Sequence, residues 1–143
     1  MPAEPLRIVG LFEDAVSTSP SGDHITTIVL RLSARPDDDW VEAFHHEWAL
    51  TSYPRKRNAR VGSVHVYDTG ALRTGLILSC SPQDYVEHHR RYVEDAVERA
   101  NERVLQRDRQ RDRTLAEAAR AIREINRSHY GDAGPDAGLR LAV

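Results

Sequence analysis

The sequence is short of several things at once, and each shortage removes a class of function. One cysteine, Cys80, stands among 143 residues. A lone cysteine closes no internal disulfide, and we expect a reducing, cytoplasmic setting. No run of about 18 apolar residues occurs, so no membrane span is expected. The N-terminal stretch MPAEPLRIVGLFEDA places proline and acid where a signal peptide needs a charged and then an apolar region. Paired cysteines at zinc spacing and H-E-x-x-H are both missing. So are G-x-S-x-G, the P-loop and G-x-G-x-x-G, which leaves no glycine-rich cradle for phosphate. We therefore expect no metal and no cofactor. An excess of one charge is missing too: 20 basic side chains face 22 acidic ones, for a net −2. That balance argues against a polycation that coats nucleic acid or membrane. Lysine is nearly absent, since Lys56 is the only one, and we read the arginine bias as coding composition.

The length corresponds to one domain, and 40% hydrophobic content suffices for a modest core. Leu6 to Glu13, with Ile8, Val9, Leu11 and Phe12, reads as a strand. A run of turn formers, Ser17 to Asp23, separates it from His24 to Ser33, where Ile25, Ile28 and Val29 give the strongest strand signal in the chain. Pro36 and the acids Asp37, Asp38 and Asp39 then open a helix, because carboxylates satisfy the free N–H groups of a first turn. Trp40, Phe44 and Trp48 at i, i+4 and i+8 give it an apolar face, read as core in preference to a stacking platform. It is predicted to end near Leu50. Val61 to Tyr67 and Leu72 to Ser79 form a second hairpin around Asp68–Gly70. Ser81, Pro82 and Asp84 open the last helix with an N-cap, an N1 proline and a near capping box.

Two halves of the chain match. Leu30-Arg31-Leu32-Ser33 with Pro36 corresponds to Leu76-Ile77-Leu78-Ser79 with Pro82, and Asp39-Trp40-Val41-Glu42 to Asp84-Tyr85-Val86-Glu87. Period detection can decide a fold. It gives an α+β fold of two ββα repeats forming a four-stranded antiparallel sheet, helices on one face, with a long charged C-terminal helix. The predicted divisions are 1–105 for the ββα-ββα domain, 106–130 for a charged helical extension and 131–143 for a flexible tail.

From Ser81 the helical pattern runs to about His129, as one helix or two. Val86, Val93, Val97, Ala100 and Val104 stripe its first half; Leu115, Ala118, Ala119, Ile122 and Ile125 stripe the second. Gln106 to Arg113 between them contains no apolar residue, so nothing there can bury. Ala118, Ala119, Ile122 and Ile125 make a small, smooth face suited to close helix pairing, and they are the candidate partner-binding residues.

Seven histidines invite an acid–base or metal reading. His45-His46 and His88-His89 each sit on a predicted helix, where neighbours point about 100° apart and cannot chelate together. Glu42 and His45 match one Glu-x-x-His element of a di-metal bundle, but no second copy follows. Cys80, at a helix N-terminus, has a position that can favour thiolate; its counterpart in the repeat is Ala34, which suggests a small-residue position instead. The best local charge signal is Arg55, Lys56, Arg57 and Arg60, a candidate nucleic-acid or phosphate contact. The charge is local, since residues 1–84 carry 8 basic and 11 acidic side chains, and the aromatic pattern of RNA-binding sheets is missing.

The function expected from these features is a non-enzymatic cytosolic adaptor or protein-interaction module. It self-associates or docks on a larger partner through the C-terminal helix. The alternative is a small nucleic-acid or phosphate-binding domain using Arg55 to Arg60. A second alternative is a small enzyme using the histidines with Glu42 or Cys80.

Overall fold

A computed structural model describes residues 4–66 and 68–131. The predicted tail lies outside the described residues beyond Gly131. By its internal contacts the chain divides into two compact units at Leu105/Gln106.

The first unit is α+β. Its strands are β1 (Ile8–Leu11), β2 (Ser17–Thr18), β3 (Ile25–Leu32), β4 (Ala59–His65) and β5 (Leu72–Leu78), with α1 (Asp38–Leu50) between β3 and β4. All pairings are antiparallel, in the order β1-β3-β5-β4, and β2 also pairs with β3. The sheet thus has five strands where four were expected. The extra strand comes from within the run of turn formers between the first two predicted strands. Ser17 pairs with Thr27 and Thr18 with Ile25, extending the hairpin. The tip closes farther on, where Ser19 N–H donates to the His24 carbonyl at 2.9 Å and Gly22 turns at φ +75°. The Asp23 carboxylate accepts from Ser19 and Ser21, which satisfies the polar groups that tip gathers.

The β-branched run of β3 lies in the middle of the sheet, as its apolar character on both faces requires. Ile28, Leu30, Leu32, Leu76 and Leu78 turn to one face and join the main core with Trp40, Phe44, Trp48, Val93, Ala96, Val97 and Ala100. Val29 and Ile77 turn the other way and cluster with Ala15, Phe12 and Val64. The period-2 alternation of the strands therefore feeds two clusters of unequal size.

Helix α1 starts on Asp37, whose carboxylate accepts the Trp40 N–H at 2.9 Å, and ends at Leu50. Trp40, Phe44 and Trp48 are buried and stack in series, with centroids 5.6 and 6.2 Å apart. The final helix begins with a short turn α2 (Pro82–Asp84) capped by Ser81 Oγ on the Asp84 N–H at 3.1 Å. A π-helical turn follows at Tyr85–His89, closed by the Arg90 N–H on the Tyr85 carbonyl, and then comes α3 (Arg90–Tyr130). The wide turn explains a second correction: Val86, placed on the inner stripe by sequence, is 62% exposed, while Tyr85 and His89 are buried. Residues 85, 89 and 93 fall four apart, a spacing that drifts around an α-helix. One extra residue in the turn takes up that drift and keeps all three on the core.

Three polar contacts link the elements of this unit. Asn101 Oδ1 accepts from the Leu6 N–H at 3.1 Å and the Trp40 indole N–H at 2.8 Å, while its Nδ2 donates to the Leu6 carbonyl at 2.8 Å. The nearly buried Glu47 carboxylate meets Arg103 at 2.9 Å and Arg99 at 3.3 Å. Arg73 grips Asp14 with two donors at 3.2 and 2.9 Å, holding the β1–β2 connection to β5.

Candidate functional site

The second unit carries the predicted partner-binding residues. Within α3 every residue from Arg109 to Tyr130 is exposed. At 100° per residue, Ile125, Ala118, Ile122, Leu115 and Ala119 fall within an arc of about 120°. Arg113, Glu117, Arg120, Glu124 and Arg127 gather on the opposite side of the same helix. Leu115 is 62% exposed, Ile122 57% and Ile125 49%. The sequence period identified this face, and the structure leaves it in solvent.

Three of the four residues of the basic link share one groove. Arg55 takes a left-handed backbone, φ +67°, and its guanidinium lies 2.9 Å from His88 Nε2. The Lys56 ammonium donates to the Trp48 carbonyl at 2.6 Å and sits 5.2 Å from the centroid of that indole. It thereby serves the C-terminal carbonyls of α1, as a cation at a helix C-terminus does. The Arg57 carbonyl accepts the Trp48 indole N–H at 3.2 Å. Arg60 lies on β4, with one guanidinium nitrogen 2.5 Å from where a Cβ on Gly62 would stand. Lys56, Arg57 and Arg60 do border one open groove of about 590 Å³, together with His45, Trp48 and Asn58. Arg55 does not.

The histidines and the cysteine are placed apart in role. His45 Nε2 accepts the Val61 N–H of β4 at 3.0 Å, so it covers part of a sheet edge. His46 is exposed. His89 is 2% exposed, with Nδ1 2.8 Å from the Tyr53 hydroxyl, and burial pushes its pKa down, aided by the neighbouring His88. Tyr53 stacks on Tyr92 at 4.0 Å. Cys80 is buried, and burial pushes its pKa up to about 11. Burial, with the Asp84 carboxylate nearby, opposes thiolate formation at this position.

Sequence reasoning overlooked one group. Asp84, Glu87 and His88 bring ligand atoms within 4.8 Å of one another, the one such group found among the described residues. Their i, i+3, i+4 spacing was the available signal. The Arg55 guanidinium against His88 opposes a cation there. Asn101 was overlooked as well, because an asparagine beside an apolar stripe carries no periodic signature. Among the described residues no helix is long and apolar enough to cross a membrane. No protein family, curated protein or solved structure matches the chain.

Proposed function

We propose that this chain is a non-enzymatic cytosolic interaction module that docks on a protein surface through Ala118, Ala119, Ile122 and Ile125. One observation carries the reading: a continuous helical segment, exposed at every residue from Arg109 to Tyr130, bears an apolar face on one side only. In proteins most helical stability comes from packing an amphipathic face, and here that face packs on nothing among the described residues. An aligned apolar strip rimmed by charge marks an interaction site.

The test is an Ile122→Glu/Ile125→Glu double variant compared with the unchanged chain as bait in native cytosol. The reading expects a protein retained by the unchanged chain and lost with the variant, while the melting temperature of the first unit is unaltered. Equal retention by both would sink it.

A phosphate or nucleic-acid role is the second reading, favoured by the groove that Lys56, Arg57 and Arg60 border. It predicts binding of a labelled single-stranded oligonucleotide that weakens steeply with salt and with Arg57→Ala/Arg60→Ala. Salt-independent or undetectable binding removes it. The enzyme reading has the burial of Cys80 and the backbone engagement of His45 against it.

The two ββα halves are further proposed to be pseudo-symmetric. In support, Leu30 pairs across the sheet with Leu76, its own counterpart 46 residues on, and the strand order reads β1-β3 then β5-β4. On this proposal a two-fold axis between Leu30 and Leu76 would exchange β3 with β5 and β1 with β4.

A further inference from the structure

We infer that the occupant of the α3 face is a second copy of this chain, lying antiparallel and centred on Arg120. The inference rests on the docking reading above and names the partner. Read outward from Arg120, apolar residues stand at matching distances in both directions: Ala119 and Ala121, Ala118 and Ile122, and Leu115 and Ile125. Two copies run in opposite directions then set Leu115 of each against Ile125 of the other. Ala118 of each falls against Ile122 of the other, so a small residue meets a large one in every central layer. Ala119 and Ala121 flank these layers and keep bulk out of the rim, which permits close approach of the two helices.

Charge selects the direction. Asp108 and Arg111 continue the same 3–4 spacing N-terminal to Leu115, and they lie 3.8 Å apart within one helix. A parallel pair in register sets Arg111 against Arg111 and Asp108 against Asp108, with both like-charge contacts in the seam. The antiparallel pair sets Arg111 against His129 of the other copy and separates the two Asp108 side chains. It also aligns the helix dipoles head to tail.

The area sets the strength. From the exposures of Leu115, Ile122 and Ile125 and two alanines, each copy offers roughly 400 Å² of apolar surface, below the roughly 800 Å² per partner of a standard stable interface. An area this small places the pair among weak, concentration-dependent associations.

The experiment has two arms. Sedimentation of the full chain at rising concentration should show the mass climb from 16.2 kDa toward twice that value, and Ile122→Glu should hold it at the monomer. Oxidising an equal mixture of Leu115→Cys and Ile125→Cys chains should give mainly the mixed disulfide dimer, with the unchanged chain as control for Cys80. Predominance of the two self-disulfides would overturn the antiparallel arrangement. A strict monomer whose protein capture is still lost on Ile122→Glu/Ile125→Glu overturns self-pairing and leaves the docking reading standing. A strict monomer with no such loss overturns both.

Discussion

Replacing Asn101 by alanine tests the least obvious element of the fold. The side chain makes three hydrogen bonds, two to the backbone of Leu6 and one to the Trp40 indole. Each is worth about 1 kcal/mol net. Leu6 lies near the surface, where water can take over part of its hydrogen bonding, whereas the Trp40 ring is buried. The expected loss is therefore about 2–3 kcal/mol. For a unit of this size that corresponds to a drop of about 10–20 °C in melting temperature. Trp40→Phe removes the indole donor and part of the ring volume, for a cost of about 2–3 kcal/mol. The two substitutions share one bond, so the double variant should recover about 1 kcal/mol relative to the sum of the singles. Urea unfolding followed by far-ultraviolet circular dichroism, with the denaturant slope unchanged, measures all three. Strictly additive costs, or an Asn101→Ala cost below about 0.5 kcal/mol, would refute the assignment of Asn101 as the tie between α1, α3 and the N-terminal segment.

Phe44 is fully buried between Trp40 and Trp48, so Phe44→Ala should cost about 3–5 kcal/mol in the same assay; an unchanged midpoint would place the stack outside the core. His89 has a pKa held below its ordinary 6.5 in the fold, so the unfolded chain binds the proton more readily. Its contribution to stability is therefore present above pH 6.5 and lost as pH falls from there through the folded value. Urea midpoints across that range should fall less steeply for His89→Gln, and an identical slope would contradict the burial. Cys80, with a pKa of about 11, should react with a thiol reagent far more slowly in the folded protein at pH 8 than in denaturant. Equal rates would show it to be accessible, with an ordinary thiol pKa.

What was legible in the sequence was local. Asp37 and Ser81 announced two helix starts because capping is chemistry within three residues, and both side chains cap as expected. The strands β3, β4 and β5 were legible because β-branched runs and hydrophobic alternation need no distant partner to be recognised. The α+β class followed from their order. What escaped depended on neighbours remote in the chain. Ser17 and Thr18 join a strand because Thr27 and Ile25 stand opposite. Tyr85 displaces Val86 from the core because a π-helical turn refits the helix to the sheet. Of the basic run, Lys56, Arg57 and Arg60 share one groove, while Arg55, in a left-handed turn, meets His88 instead. The exposed face of α3 was readable as apolar, but periodicity names a face and not its occupant.

The ammonium of Lys56, bound to the end of α1, has a consequence for labelling and modification. It is the chain's only ε-amine, so acetylation, ubiquitin transfer or an amine-reactive dye has one side-chain target. Any of them must first draw the amine off the Trp48 carbonyl and the face of its ring. Acylation at this position therefore competes with the contact that caps the α1 C-terminus, and a lysine-directed tag removes a helix-end cation as it attaches.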